Sequence, residues 1–239
     1  MFGIGTIVNV GAIIVGGCIG LLLRGGLKER YQTAVVQALG LCTIFIGVSG
    51  ALSGMFLVEG SALVGMSTKG TLGMILALGT LIGEWLDFDS KLERLGAWLK
   101  QKAARGDDSR FIEGFVTTSL VVCIGAMAIV GSIQDGLAGD PSVLFTKSVL
   151  DFIVLIIFAS TYGKGAIFSA LPVGMLQGGV TLCADLLAPV FRPAVVANLS
   201  FLGSILIFCV GVNLAFGNKL RVANMLPALV VGALYTVLI

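Results

Sequence analysis

Residues 139–159 read "GDPSVLFTKSVLDFIVLIIFA", a charged pair set at the entrance to an apolar run. Asp140 is placed to cap a helix, and Pro141 suits a first turn, where its missing N–H costs nothing. Lys147 and Asp151 follow four residues apart, so they share one helical face. Counted from Asp140 at 1.5 Å per residue, Lys147 lies about 10 Å and Asp151 about 16 Å along the helix. The run after them has the character of a bilayer interior. An unpaired carboxylate at mid-bilayer costs on the order of 3 kcal/mol by insertion scales. The pair therefore predicts a helix in a membrane whose polar face looks at other protein. Two readings of that face remain open: a salt bridge that pins two helices, or a buried site for an ion or a solute.

The rest of the chain agrees with a membrane setting. Of its 239 residues 57% are hydrophobic and only 12% charged, about half the charge of an ordinary soluble domain. Glycine, at 34 residues, is abundant, as it is in closely packed membrane helices. A span needs roughly 20 apolar residues. Segments of that kind occur at about 5–23, 34–57, 70–86, 111–133, 145–162, 165–189, 194–216 and 222–238. The fifth has polar first turns. The sixth contains Pro172 and several glycines, which predicts a broken helix. The first lacks a basic leader and reads as a mature span.

Lysine and arginine positions set the orientation. Arg24, Lys28, Arg30, Lys91, Arg94, Lys100, Lys102, Arg105, Arg110, Lys164, Lys219 and Arg221 all fall in odd-numbered connections. The even-numbered ones hold only Lys69, Lys147 and Arg192. This asymmetry predicts odd connections in the cytoplasm and both termini outside. The one long polar piece, "DFDSKLERLGAWLKQKAARGDDS" (87–109), repeats Leu92, Leu95, Trp98 and Leu99 at helical spacing. It reads either as an amphipathic helix on the cytoplasmic membrane surface or as a connector packed on the bundle. The domain expectation is one integral membrane domain over 1–239, with 87–110 as the cytoplasmic connector.

Internal repetition is visible. "GAIIVGGCIGLLL" (11–23) resembles "LALGTLIGEWL" (76–86), and "LCTIFIGVSGAL" (41–52) resembles "ILIFCVGVNLAFG" (205–217). By the charge topology the last two run in opposite directions, a relation found in secondary transporters.

Two further constellations could carry chemistry. In "LPVGMLQGGVTLCAD" (171–185), Gln177, Thr181 and Asp185 are spaced by four on one face of the segment Pro172 should break. In the first span Thr6, Asn9 and Gly16 form a stripe, and a buried Asn9 amide must find partners. Asn213 and Asn224 invite the same argument. Asp135, in "SIQDGLAGD", reads as a solvated residue of an outward turn. The stripes Gly16-xxx-Gly20 and Gly79-xxx-Gly83 point to helix packing and to a homo-oligomer, a dimer.

Several classes are disfavoured. No basic stripe is interleaved with aromatics, so nucleic acid is not an expected partner. The five cysteines lie singly in apolar runs and there is no histidine, so no metal site, disulfide or Ser-His-Asp triad is expected. No GxxxxGK[ST] loop occurs, and no cofactor is implied. The expectation is that the chain is not an enzyme.

"GTIVNVGAIIVGGCIGLLL" (5–23), "GDPSVLFTKSVLDF" (139–152) and "NMLPALVVG" (224–232) together resemble the bacterial inner-membrane family of domain of unknown function 554, the YqgA/YdfK-like proteins. The resemblance covers essentially the whole chain. Gly139, Asp140, Pro141, Ser142, Lys147, Ser148, Leu150, Asp151 and Phe152 carry its most specific part. It implies a multi-pass protein of the bacterial cytoplasmic membrane, described as a transporter, and supplies neither a substrate nor binding residues.

The sequence thus predicts an all-α polytopic transmembrane bundle of seven or eight spans, with internal repeats and a broken helix. The functional expectation is a secondary carrier in the lipid bilayer for a small polar solute or ion, coupled to sodium or protons. Asp151 and Asp185 would bind a cation or carry the coupling proton, and Lys147 would answer a substrate carboxylate. Asn9, Gln177, Thr181 and Asn213 would add neutral contacts, with Asp140 at the entrance. The alternatives are an ion channel and a membrane scaffold or sensor that transports nothing.

Overall fold

The structure is a computed structural model that describes residues 3–24, 29–59, 62–66, 70–103, 110–124, 126–187, 189–217 and 219–238. Three of the basic residues used above, Lys28, Lys69 and Arg105, lie outside the described residues. In chain order the elements are α1 (Ile4–Arg24), α2 (Glu29–Met55), β1 (Phe56–Glu59), β2 (Ala62–Met66), α3 (Gly70–Leu86) and α4 (Phe88–Ala103). Then follow α5 (Phe111–Cys123), α6 (Ala126–Ala138), α7 (Ser142–Tyr162), α8 (Lys164–Ile167), α9 (Ala170–Leu182), α10 (Ala184–Leu187), α11 (Pro193–Phe216), α12 (Val222–Met225) and α13 (Pro227–Leu238). The fold is an all-α membrane bundle. Its one strand pair among the described residues is the short antiparallel hairpin β1–β2.

Five stretches are long and apolar enough to cross a membrane: Ile4–Leu23, Thr33–Met55, Ser142–Tyr162, Lys164–Leu182 and Pro193–Phe216. The pair α5–α6, bent by 61° at its break, passes the same test only when its two pieces are taken together, as a broken span or a re-entrant loop. Two shorter apolar stretches, Leu72–Leu86 and Val222–Leu238, lie at the third and eighth segments of the sequence reading, below the length of the five spans. The fifth expected span, despite its polar start, is one unbroken 21-residue helix.

The described chain divides into two compact units, Met1–Val36 with Ser90–Pro189, and Gln37–Asp89 with Val190–Ile239. In the first unit α1 and α7 run parallel and touch closely. Gly5 faces Leu144, Gly16 faces the Phe152 carbonyl, and Gly20 faces the Ile156 carbonyl. A Cβ at Gly16 would stand 2.5 Å from the Phe152 oxygen, so only glycine permits this approach. α9 runs antiparallel to α1, with Gly174 against Val10 and Gly3 against Thr181. Leu92, Leu95 and Leu99 of α4 pack on Phe111 and Phe115 of α5, while Trp98 of the same stripe stays exposed.

In the second unit α2 and α11, the helices of the repeated strings 41–52 and 205–217, pack antiparallel. Gly40 faces Ala215, Gly47 faces Phe208 and Gly54 faces Phe201. Gly79 and Gly83 of α3 lie against Ala228 and the Asn224 carbonyl. Leu72, Ile75, Phe201 and Leu202 form this unit's core. Both glycine stripes that suggested a homodimer are therefore occupied within the chain, and they give a second copy no support.

Candidate functional site

α7 sorts its residues by face. Val149, Leu150 and Ile153 are exposed, an apolar surface suited to lipid, whereas Leu144, Lys147, Ser148, Asp151 and Leu155 are buried. Asp151 sits nine residues into the helix, about 14 Å from its start. Lys147 and Asp151 are only 6% and 5% exposed, so both charges are held inside protein.

Each charge is answered. Lys147 Nζ donates to Asp151 Oδ2 at 2.5 Å and to the Val122 carbonyl at 2.9 Å. That carbonyl is available because α5 stops at Cys123 and Ile124 turns extended, which leaves the last carbonyls without helical donors. Asn9 Nδ2, from α1, donates to Asp151 Oδ2 at 3.0 Å and to Gln177 Oε1 of α9 at 3.2 Å. Both amides are fully buried. Four helices thus join one network around Asp151, and it is not closed: among the described residues Asn9 Oδ1 and Gln177 Nε2 have no partner. One open acceptor and one open donor flank a buried ion pair.

The structure brings together Lys147, Asp151, Asn9 and Gln177. Thr181 is buried one turn beyond Gln177, beside Gly3 and Gly136, and its hydroxyl has no partner. Asp185 does not share their face. α9 ends at Leu182, the turn at Cys183 breaks the register, and Asp185 is exposed on α10. Asn213 belongs to the second unit, where its carbonyl oxygen accepts from the Lys219 and Leu220 N–H groups and its amide donates to the Leu220 carbonyl. It closes a turn. Asn224 Oδ1, in the same unit, accepts from the Asp89 N–H at 2.7 Å. Asp140 lies at the entrance to α7, accepting from the Ser142 N–H at 3.0 Å and from Gln134 Nε2 at 3.3 Å. The Ser142 N–H holds its carboxyl below the ordinary range.

Two features escaped the sequence reading. The helix break that feeds the site follows Cys123, where Ile124 turns extended at the end of α5. The break expected at Pro172 is not found: Lys164–Leu182 runs as one span, Phe168 and Ser169 between α8 and α9 keep helical dihedrals, and Pro172 falls in the first turn of α9, where it removes no helical bond. Asp135 is also not a solvated turn residue. It sits in α6, fully buried, and its Oδ2 accepts the Gly5 N–H at 3.0 Å. The spacing Ala128, Ser132, Asp135 marks one buried face of a helix and was the signal for it.

Apolar spanning helices around an interior ion pair define a multi-pass membrane protein. The chain belongs to the family described as protein of unknown function (DUF554), which matches residues 4–237. It is 29% identical over 227 residues to the uncharacterized membrane protein YdfK of Bacillus subtilis (strain 168), covering 95% of this chain and 93% of that one. It is equally similar, 29% over 227 residues with the same coverage, to the uncharacterized protein YqgA of Escherichia coli (strain K12). No solved structure matches the chain.

Proposed function

We propose that the chain is a secondary carrier of the bacterial inner membrane for a small polar solute with both a cationic and an anionic or carbonyl group. The observation that supports this reading is the buried Lys147–Asp151 pair with an unfilled acceptor, Asn9 Oδ1, and an unfilled donor, Gln177 Nε2, beside it. A purely structural salt bridge gains from having every neighbouring polar group paired. A solute site needs the opposite, groups that are paired only when loaded. A substrate ammonium would take over Asp151 while Lys147 turns to the substrate carboxylate. The exchange of partners is the coupling step between loading and closure. No step in it requires bond chemistry, and the chain is read as a transporter and not as an enzyme.

The test is uptake into proteoliposomes from a panel of amino acids and betaines, under sodium or proton gradients. Asp151→Asn keeps the volume and leaves Lys147 the Val122 carbonyl and an amide oxygen as acceptors, so it is expected to fold and to lose uptake. Lys147→Met with Asp151→Asn serves as the charge-neutral control. Normal uptake by Asp151→Asn would refute the carrier reading at this site.

For the orientation, the proposal is that odd connections are cytoplasmic and both termini external. Within each unit the parallel and antiparallel contacts agree with eight alternating spans. In a background without native cysteines, Lys100→Cys should be labelled only from the cytoplasm and Leu137→Cys only from outside. Labelling of both from one side would rule this topology out.

A further inference from the structure

Unit one contains a second buried carboxylate, and no side-chain cation among the described residues pairs with it. Asp135 is fully buried in α6. Its Oδ2 accepts the Gly5 N–H at the start of the 21-residue helix α1, so one oxygen sees the positive end of a helix dipole, about half a unit charge. Its other oxygen, Oδ1, has no partner among the described residues. The ion pairs Lys147–Asp151 and Arg221–Glu84 do not touch it. A buried carboxylate compensated by half a charge is an unfinished arrangement.

Two more unpartnered oxygens lie at the same end of the unit. Thr6, next to Gly5 on α1, and Thr181, on α9, are each 8% exposed, and neither hydroxyl has a hydrogen-bond partner among the described residues. In this unit the buried hydroxyls of Ser132 and Ser148 donate to the carbonyl four residues back, whereas those of Thr118, Ser119 and Ser169 are unpartnered among the described residues, like Thr6 and Thr181. Thr181 leaves that bond unmade. It bridges the relevant helices: its methyl lies 4.0 Å from where a Gly3 Cβ would be, and its carbonyl oxygen stands 2.5 Å from the Cβ position of Gly136, the neighbour of Asp135.

We infer that Asp135, Thr181 and Thr6 form a site for a dehydrated monovalent cation of the sodium class, where α1, α6 and α9 meet. The donors are all hard oxygens, which suit alkali and alkaline-earth ions and not thiophilic metals. Charge then selects the valence. One carboxylate, already partly compensated by a helix end, balances a single positive charge, whereas a divalent ion would leave the buried site strongly positive. The role of this ion as the coupling ion rests on the carrier reading above; its binding does not. It also separates the two tasks assigned jointly to carboxylates in the sequence: Asp151 answers the solute and Asp135 holds the ion.

The experiment is thermal unfolding of the purified full chain in detergent, titrated with sodium chloride against potassium and choline chloride at equal ionic strength. The wild type should be stabilised by sodium beyond the two controls. Asp135→Asn, whose amide oxygen can still accept the Gly5 N–H, should lose that specific shift, and Asp151→Asn should retain it. Thr181→Val removes one oxygen from a site whose packing it preserves. Since even indirect supporting groups are worth about 10–100-fold in metal affinity, it should weaken apparent sodium affinity at least about tenfold. If Thr181 is merely an orphaned hydroxyl, the same variant will bind sodium unchanged. No sodium-specific shift in the wild type, or an unaltered one in a folded Asp135→Asn or Thr181→Val, overturns the inference. A sodium shift lost in Asp135→Asn without uptake of any solute would leave this site standing and remove the carrier reading instead.

Discussion

The two units are built from the same apolar, glycine-rich helices, yet their interiors differ in kind. The first buries all three of the charged side chains that are buried among the described residues, Asp135, Lys147 and Asp151, together with the amides of Asn9 and Gln177. The second encloses Leu72, Ile75, Phe201 and Leu202, and its buried polar side chains are Ser204 and Asn224. Ser204 donates to the Ser200 carbonyl within its own helix. Asn224 contributes its oxygen to a backbone N–H of the same unit. The buried side chains of the second unit thus bond to backbone, whereas in the first Asn9, Lys147, Asp151 and Gln177 bond to one another, side chain to side chain. In a bilayer, where apolar surface gives helices no reason to leave lipid, a long-range polar network is costly to assemble. Among the described residues that cost is concentrated in the first unit, which holds every buried charge.

The contrast breaks most visibly under paired substitutions. Lys147→Met leaves a buried carboxylate without its cation and the Val122 carbonyl without a donor. Removing one partner of a buried pair costs about 3–5 kcal/mol, whereas replacing both by apolar groups is often close to neutral. Lys147→Met should thus lower stability strongly, and Lys147→Met with Asp151→Leu should recover most of the loss. Ser204→Ala in the second unit forfeits one local bond and should cost less than about 1 kcal/mol. Reversible unfolding in mixed micelles gives all three values. Equal losses for Lys147→Met and Ser204→Ala would mean that the polar interior is solvated and not held as a network.

Much of this was legible in the sequence because lipid simplifies the reading. Long apolar runs had to be helices, since no water is present to satisfy exposed backbone. Lys147 and Asp151 had to face inward for the same reason, and a buried Asn9 had to find partners. The partners themselves were less legible. Asp185 has the right spacing from Gln177 and Thr181, but one turn at Cys183 takes it off the face. Pro172 drew attention to the wrong break, because a proline in a first turn is compatible with the helix it begins. The decisive break follows Cys123, where the adjoining Gly125 is one glycine among many in this chain. Asp135 was misplaced because the turn-like "DGLAGD" hides a helix that runs to Ala138. The glycine stripes were read correctly as close-packing surfaces, but periodicity does not say whether the other surface belongs to the same chain.

The smallest expected effect lies at the entrance to α7, and it isolates what burial contributes. Asp140 makes the same kind of contact as Asp135, a carboxylate oxygen accepting a backbone N–H at 3.0 Å. Asp140 is outside the spans and open to water, which screens its charge. The Ser142 N–H lowers its pKa in the folded protein below that of the unfolded chain. A depressed carboxylate stabilises the fold fully above its unfolded pKa, near 3.9, and that contribution is lost as pH falls through the folded value. Between pH 8 and 5 the contact should therefore be constant. Asp140→Ala should lower the melting temperature by a small, pH-independent amount in that range, and the difference from wild type should shrink below about pH 4. Asp135→Ala should produce a much larger drop over the same range, because it also empties a buried position at the start of α1. If the two alanine variants lose the same stability at pH 7, burial adds nothing to these carboxylate contacts, and the distinction between a polar interior and its solvated rim fails.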